Sequence, residues 1–191
     1  MKKLVVLLFI VVGSMVHVQA ENYFGKQLIN NFHVGWDVNR TDNYRWRNFN
    51  IGTGYGNKFG NDPRASWQLS VDFNWSKYTL YSDGDFAIGN SDALLRTKSL
   101  SFPLVVSYEV YKSFFNGIKV YTGPVYEVIL SSTLDKVPFY DYRPSQWGWT
   151  VGTRIRFLII FSARIAYNFY PTALLYNGEM NRSAVSFSLG F

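Results

Sequence analysis

The chain has 191 residues, no cysteine and a formal charge of +6; 48% of it is hydrophobic by type, 19% aromatic and 17% charged. Without cysteine there is no disulfide framework, thiolate zinc site or iron–sulfur cluster, and aromatic richness with few charges excludes disorder. A mean hydropathy of −0.06 excludes a bundle of membrane-spanning helices, each of which needs about 20 consecutive apolar residues.

Residues 1–20 have the pattern of a secretory signal peptide. Lys2 and Lys3 form a basic start, Leu4 to Val16 an apolar core, and Val18-Gln19-Ala20 a small-residue cleavage site. The expected mature chain is one domain, residues 21–191, starting at Glu21. Its basic excess is mild and contains no basic run, so no nucleic-acid partner is expected. His33 is its only histidine.

From there on, apolar residues recur with period two, the spacing of a strand that presents them on one face. The expected strands, in chain order, are roughly 31–40, 46–59, 65–82, 97–112, 116–132, 145–158, 160–174 and 181–191. In the first, Phe32, Val34, Trp36 and Val38 oppose His33, Gly35, Asp37 and Asn39. In the third, Trp67, Leu69, Val71, Phe73 and Trp75 oppose Gln68, Ser70, Asp72, Asn74 and Ser76. In the last, Val185, Phe187, Leu189 and Phe191 oppose Ala184, Ser186, Ser188 and Gly190. Connections near Asn61, Phe114 and Ile159 are short, whereas the alternate ones are longer on average. Short turns at one end and long loops at the other predict an all-β fold: an eight-stranded antiparallel up-and-down transmembrane β-barrel in the bacterial outer membrane. Its long loops face outside and its termini the periplasm.

The apolar set is bulky and the opposing set small or polar. An eight-stranded lumen holds only a filling of side chains, so it accommodates the second set and not the first. The aromatic face is therefore expected to meet lipid. Tyr55, Phe59 and Trp67 fall near periplasmic strand ends, and Trp75, Trp147, Trp149 and Phe169 near outer ends. These form two girdles at the headgroup level. The final alternation of Phe187, Leu189 and Phe191 resembles the signal read by the barrel-assembly machinery, an expected partner together with outer-membrane lipids and lipopolysaccharide.

Residues 97–191 also resemble the PorT-like outer-membrane β-barrel domain family. The matching stretches are Leu100-Ser-Phe-Pro103-Leu-Val, Gly117 with Val120-Tyr121-Thr122-Gly123-Pro124, Gly148 and Gly152 before Arg154, Arg164-Ile-Ala-Tyr167, and Ser188-Leu-Gly-Phe191. Residues 21–96 match in layout alone. The resemblance implies a small barrel and, through some members, a role in secretion or at the surface.

With the aromatics outward, Asp37, Asp72, Glu109, Glu127, Arg154, Arg156 and Arg164 point inward. Unpaired buried charge is costly and arginine forks bind carboxylates well. A salt-bridge network plugging the lumen is therefore expected, as a structural plug ahead of a selectivity constriction. His33 with Ser186 or Ser188 and Asp37 is the one triad-like set, but it lies inside a narrow lumen without a nucleophile elbow. Asp83-Gly84-Asp85 lacks the full spacing of a calcium loop. No cofactor, metal or catalytic residue is therefore expected. Tyr44, Trp46, Phe86, Phe139, Tyr140, Tyr142, Leu174, Leu175 and Tyr176 read as outer-loop aromatics and aliphatics, either a lid over the mouth or a binding surface. The leading functional expectation is a non-enzymatic barrel serving envelope structure or a secretion or surface protein partner. The alternatives are a narrow transporter of small or apolar solutes and a lipid-modifying outer-membrane enzyme.

Overall fold

The computed structural model describes residues 27–28, 31–59, 62–82, 92–113, 116–157, 161–176, 180 and 182–190. The signal segment, Asp83-Gly84-Asp85, Phe86, Phe114, Ile159 and Phe191 lie outside the described residues. The strands are β1 (His33–Arg40), β2 (Tyr44–Phe59), β3 (Asp62–Leu80), β4 (Ala93–Lys112), β5 (Gly117–Leu134), β6 (Val137–Pro138), β7 (Ser145–Phe157), β8 (Phe161–Tyr170) and β9 (Arg182–Gly190). Every pairing is antiparallel, and all but β5–β7 and β1–β9 join neighbours in the chain; the short β6 pairs with β5 alone. β5 pairs with β7, and β1 with β9, so the eight long strands close on themselves as an up-and-down barrel. Closure leaves none of the eight long strands at a sheet edge.

The faces divide by solvent. Trp36, Leu69, Val71, Leu104, Val106, Val151, Ile165, Phe187 and Leu189 stand on the outer surface, each more than two-fifths exposed. Inside are His33, Asp37, Asn48, Asn50, Ser70, Asn74, Ser99, Ser101, Glu127 and Thr150, all buried. A water-soluble barrel would have these sets reversed, whereas a barrel with lipid around it requires this one. Trp75, Trp147, Trp149 and Phe169 are exposed on the outer wall, and at the other end Phe59 is exposed and Tyr55 packs edge-on against Trp67 at 5.8 Å.

Towards the long-loop end the chemistry of the two faces inverts while the alternation continues. Tyr44, Trp46, Tyr78, Leu80, Ala93 and Leu95 point inward and are buried, and Arg45, Arg47, Lys77 and Arg96 point outward and are exposed. Here the strands have left the lipid and obey the rule for water. Tyr44 and Trp46 are thus wall residues of β2 with interior side chains, not loop aromatics. β2 and β4 likewise start earlier than periodicity alone placed them.

The mouth at that end is stoppered. β8 ends at Tyr170, and Leu174, Leu175 and Met180 then fold inward onto Tyr44, Trp46 and Tyr78. Arg143 N–H donates to the Leu174 carbonyl at 2.9 Å, and Leu174 N–H to the Met180 carbonyl at 2.9 Å. These bonds tie the β7-side loop to the β8–β9 connection. Tyr140 and Tyr176 remain exposed at the surface.

Candidate functional site

The lumen contains three layers. Beneath the stopper sits Arg182, at the start of β9 and 1% exposed. Its Nη2 lies 2.5 Å from Glu127 Oε2 and also donates to Gln146 Oε1, and its Nη1 donates to the Tyr78 hydroxyl at 2.9 Å. The guanidinium lies 4.2 Å from the Tyr170 ring centre and 5.3 Å from that of Trp46, within cation–π range. Glu127 accepts a further bond from Ser99 Oγ. This is a desolvated charge pair whose surrounding donors and rings offset its burial.

Below it runs a ladder of neutral polar groups anchored on Asp37. Asp37 accepts from Ser186 Oγ and from Asn48 Nδ2 at 2.6 Å. Asn48 Nδ2 also reaches Asn74 Oδ1 at 3.0 Å, and Asn74 Nδ2 donates to Ser101 Oγ at 2.9 Å. His33 belongs to a separate pair. Its Nε2 lies 3.2 Å from Asp72 Oδ1, and its Nδ1 3.0 Å from the Asn31 carbonyl. Gly52 makes room for that pair, since a Cβ there would lie 2.9 Å from His33 Cε1. The triad-like set is therefore not assembled: Ser186 serves Asp37, and His33 serves Asp72.

The third layer is the short-turn mouth. Lys119, Arg154 and Arg164 occupy directly opposed positions on β5, β7 and β8, and Arg156 sits one inward position further along β7. Arg154 Nη1 donates to Asn31 Oδ1 at 3.3 Å. Among the described residues the ion pairs are Arg182–Glu127 and Lys112–Glu109, and His33 lies against Asp72 in a contact that is ionic only with a protonated ring. The seven charges expected inside do line the interior, but Arg154, Arg156 and Arg164 are not bridged to the acids. Glu127 is taken by Arg182 and Asp72 by His33. Periodicity held the signal for Arg182, because it falls on the same parity as Ala184, Ser186 and Ser188.

The outer wall carries a second cluster. Arg47 of β2 faces Lys77 of β3, which faces Arg96 of β4. Arg40 and Arg45 face each other beside this row, and Lys98 lies next to Trp75. Among the described residues none of the six is in an ion pair. Immediately below, Trp36, Phe49 and Trp75 form a continuous ring belt, with centres 5.8 and 5.6 Å apart. Like charges facing across strands are destabilising without a counter-ion.

Fold and faces define a membrane-spanning β-barrel of the outer-membrane type with a filled lumen. No protein-family model and no curated protein matches the chain. The solved structures similar to it include the following two. The outer membrane enzyme PagL is 14% identical, with 82% of this chain and 95% of that one covered and a TM-score of 0.45. LpxR from Salmonella typhimurium is 9% identical, with 96% of each chain covered and a TM-score of 0.38. The expectation of a non-enzyme, which rested on the narrowness of the lumen and the lack of a nucleophile elbow, is corrected here. One of the two similar structures, PagL, is described as an outer membrane enzyme.

Proposed function

We propose that the protein engages the phosphorylated glycolipid of the outer leaflet, lipopolysaccharide, through the outward face of β1 to β4. One observation carries this reading: the Arg47–Lys77–Arg96 row, without an ion pair among the described residues, directly above the Trp36–Phe49–Trp75 belt. Aromatic rings of this kind sit at the headgroup level. Cations at that height meet phosphate, which arginine binds with two parallel hydrogen bonds and lysine as a point charge. The resemblance to PorT-like barrels supports the same envelope setting. The test is binding of the refolded protein to vesicles with and without lipopolysaccharide. Arg47→Glu with Lys77→Glu should weaken the lipopolysaccharide-dependent part roughly tenfold or more, given about 1 kcal/mol per basic group at an anionic surface. Equal binding by wild type and the double variant overturns the proposal.

A second reading makes the bound glycolipid a substrate and the protein a lipid-modifying enzyme. The observation favouring it is that the hydroxyl residues Thr79 and Thr133 stand opposite Arg45 and Arg96 in the same outward band. His33, inside the lumen, does not reach them, so the base would come from another group. Mass spectrometry of lipopolysaccharide incubated with the protein decides it. A changed lipid mass, lost in Thr79→Ala or Thr133→Ala, supports catalysis, and an unchanged mass removes it.

A further inference from the structure

The short-turn mouth of the barrel holds a cavity of about 300 Å³. Lys58, Lys119, Arg154 and Arg164 contribute to its wall, together with Gln68 and Tyr121, and among the described residues no acidic side chain lines it. Lys119, Arg154 and Arg164 lie side by side on three adjacent strands. The Nε and Nη2 of Arg164 are shielded from solvent and have no hydrogen-bond partner among the described residues, and Arg156 Nε is in the same condition. A guanidinium carries five donors in a planar fork and stays charged, so buried nitrogens of this kind call for an acceptor. The barrel's own acids do not meet the need. Among the described residues Glu127 pairs with Arg182, Asp72 Oδ1 lies 3.2 Å from His33 Nε2, and Glu109, opposite Lys119 across β4 and β5, pairs with Lys112 at 3.9 Å, so none of the three forms an ion pair with Arg154 or Arg164.

We propose that this mouth is a binding site for a small oxyanion, a phosphate or a carboxylate, entering from the periplasmic side. The anion would sit between Lys119, Arg154 and Arg164 and complete the coordination that the interior leaves open. The row of like charges is then a built receptor: three cations on adjacent strands converge on one volume, and two-pronged guanidinium groups match both oxyanions. The site is separate from the outer-wall cluster, at the opposite end of the barrel and on the inner face.

The experiment is isothermal titration calorimetry on the full chain refolded in detergent. Separate arms use sodium phosphate, sodium acetate and sodium chloride at equal ionic strength. Saturable heat with phosphate or acetate, absent with chloride, is expected, and the stronger of the two identifies the anion class. Arg164→Gln, and independently Lys119→Gln, should weaken that binding roughly tenfold, the loss of one charge-assisted contact. Folding of each variant is checked by heat-modifiable gel mobility, and removing an uncompensated charge should leave it intact. The proposal fails if neither oxyanion differs from chloride. It also fails if both variants bind like wild type, or if Arg47→Gln at the outer wall, rather than the mouth variants, abolishes the heat.

Discussion

Val151→Arg measures the solvent around the barrel. Val151 is the central residue of the 13-residue strand β7, with six residues on either side. At a rise of about 3.4 Å per residue and a tilt of about 40°, its Cα lies roughly 15 Å from each strand end, close to the middle of an apolar band about 25 Å tall. It faces outward between Thr122 of β5 and Tyr167 of β8, 49% exposed. Arginine at the midplane of a barrel costs about 2–4 kcal/mol. Val137, in the two-residue β6 beyond the barrel wall, is 65% exposed. There the same substitution meets water and should change stability by less than about 0.5 kcal/mol. Exposure alone predicts similar, small effects at both sites, and the identity of the solvent predicts a large gap. Equilibrium unfolding in phospholipid vesicles, followed by tryptophan fluorescence, gives both values. A Val151→Arg cost under about 0.5 kcal/mol, or equal costs at the two sites, would refute the lipid-facing assignment.

Arg182→Met should destabilise the barrel by about 3–5 kcal/mol, because Glu127 is left as a buried, unpaired charge. Adding Glu127→Gln should recover most of that loss, and chemical unfolding of the single and double variants checks both. Gly123→Val should lower the unfolding midpoint, with a cost of about 1–3 kcal/mol or more. A Cβ there runs into the Leu104 carbonyl and lies 2.8 Å from Val105 Cα, both backbone. Gly117→Ala should be tolerated in the same assay, since the nearest atom to its Cβ is Glu109 Oε1 at 3.3 Å, the end of a flexible side chain. The outer mouth is closed by Leu174, Leu175 and Met180 over Arg182. Wild-type protein in planar bilayers should therefore show no steady conductance, and a stable open current would revive a transport role.

Strand number, pairing order and the orientation of the aromatic face were legible in the sequence, because each depends on a local quantity. Period-two alternation assigns every side chain to one of two faces, and the bulk of Trp36, Phe73 or Phe187 excludes it from an eight-stranded lumen. Other features depend on where the lipid stops, which periodicity does not register. Tyr44 and Trp46 keep the parity of their strand but turn inward above the bilayer, since water there reverses the preference that lipid imposes below. The choice of charge partners was equally out of reach. Alternation put Asp72, Glu127 and the arginines on one face, but the stagger of strands around the closed barrel decided their height. It brought Glu127 to Arg182, brought Asp72 to His33, and left Arg154 and Arg164 beside Lys119 without an ion pair among the described residues. Composition and spacing along the chain thus determined a membrane barrel, since they specify which face tolerates which solvent. Only closure in three dimensions decided which charges neutralise one another, because that depends on distances across the lumen between residues far apart in the chain.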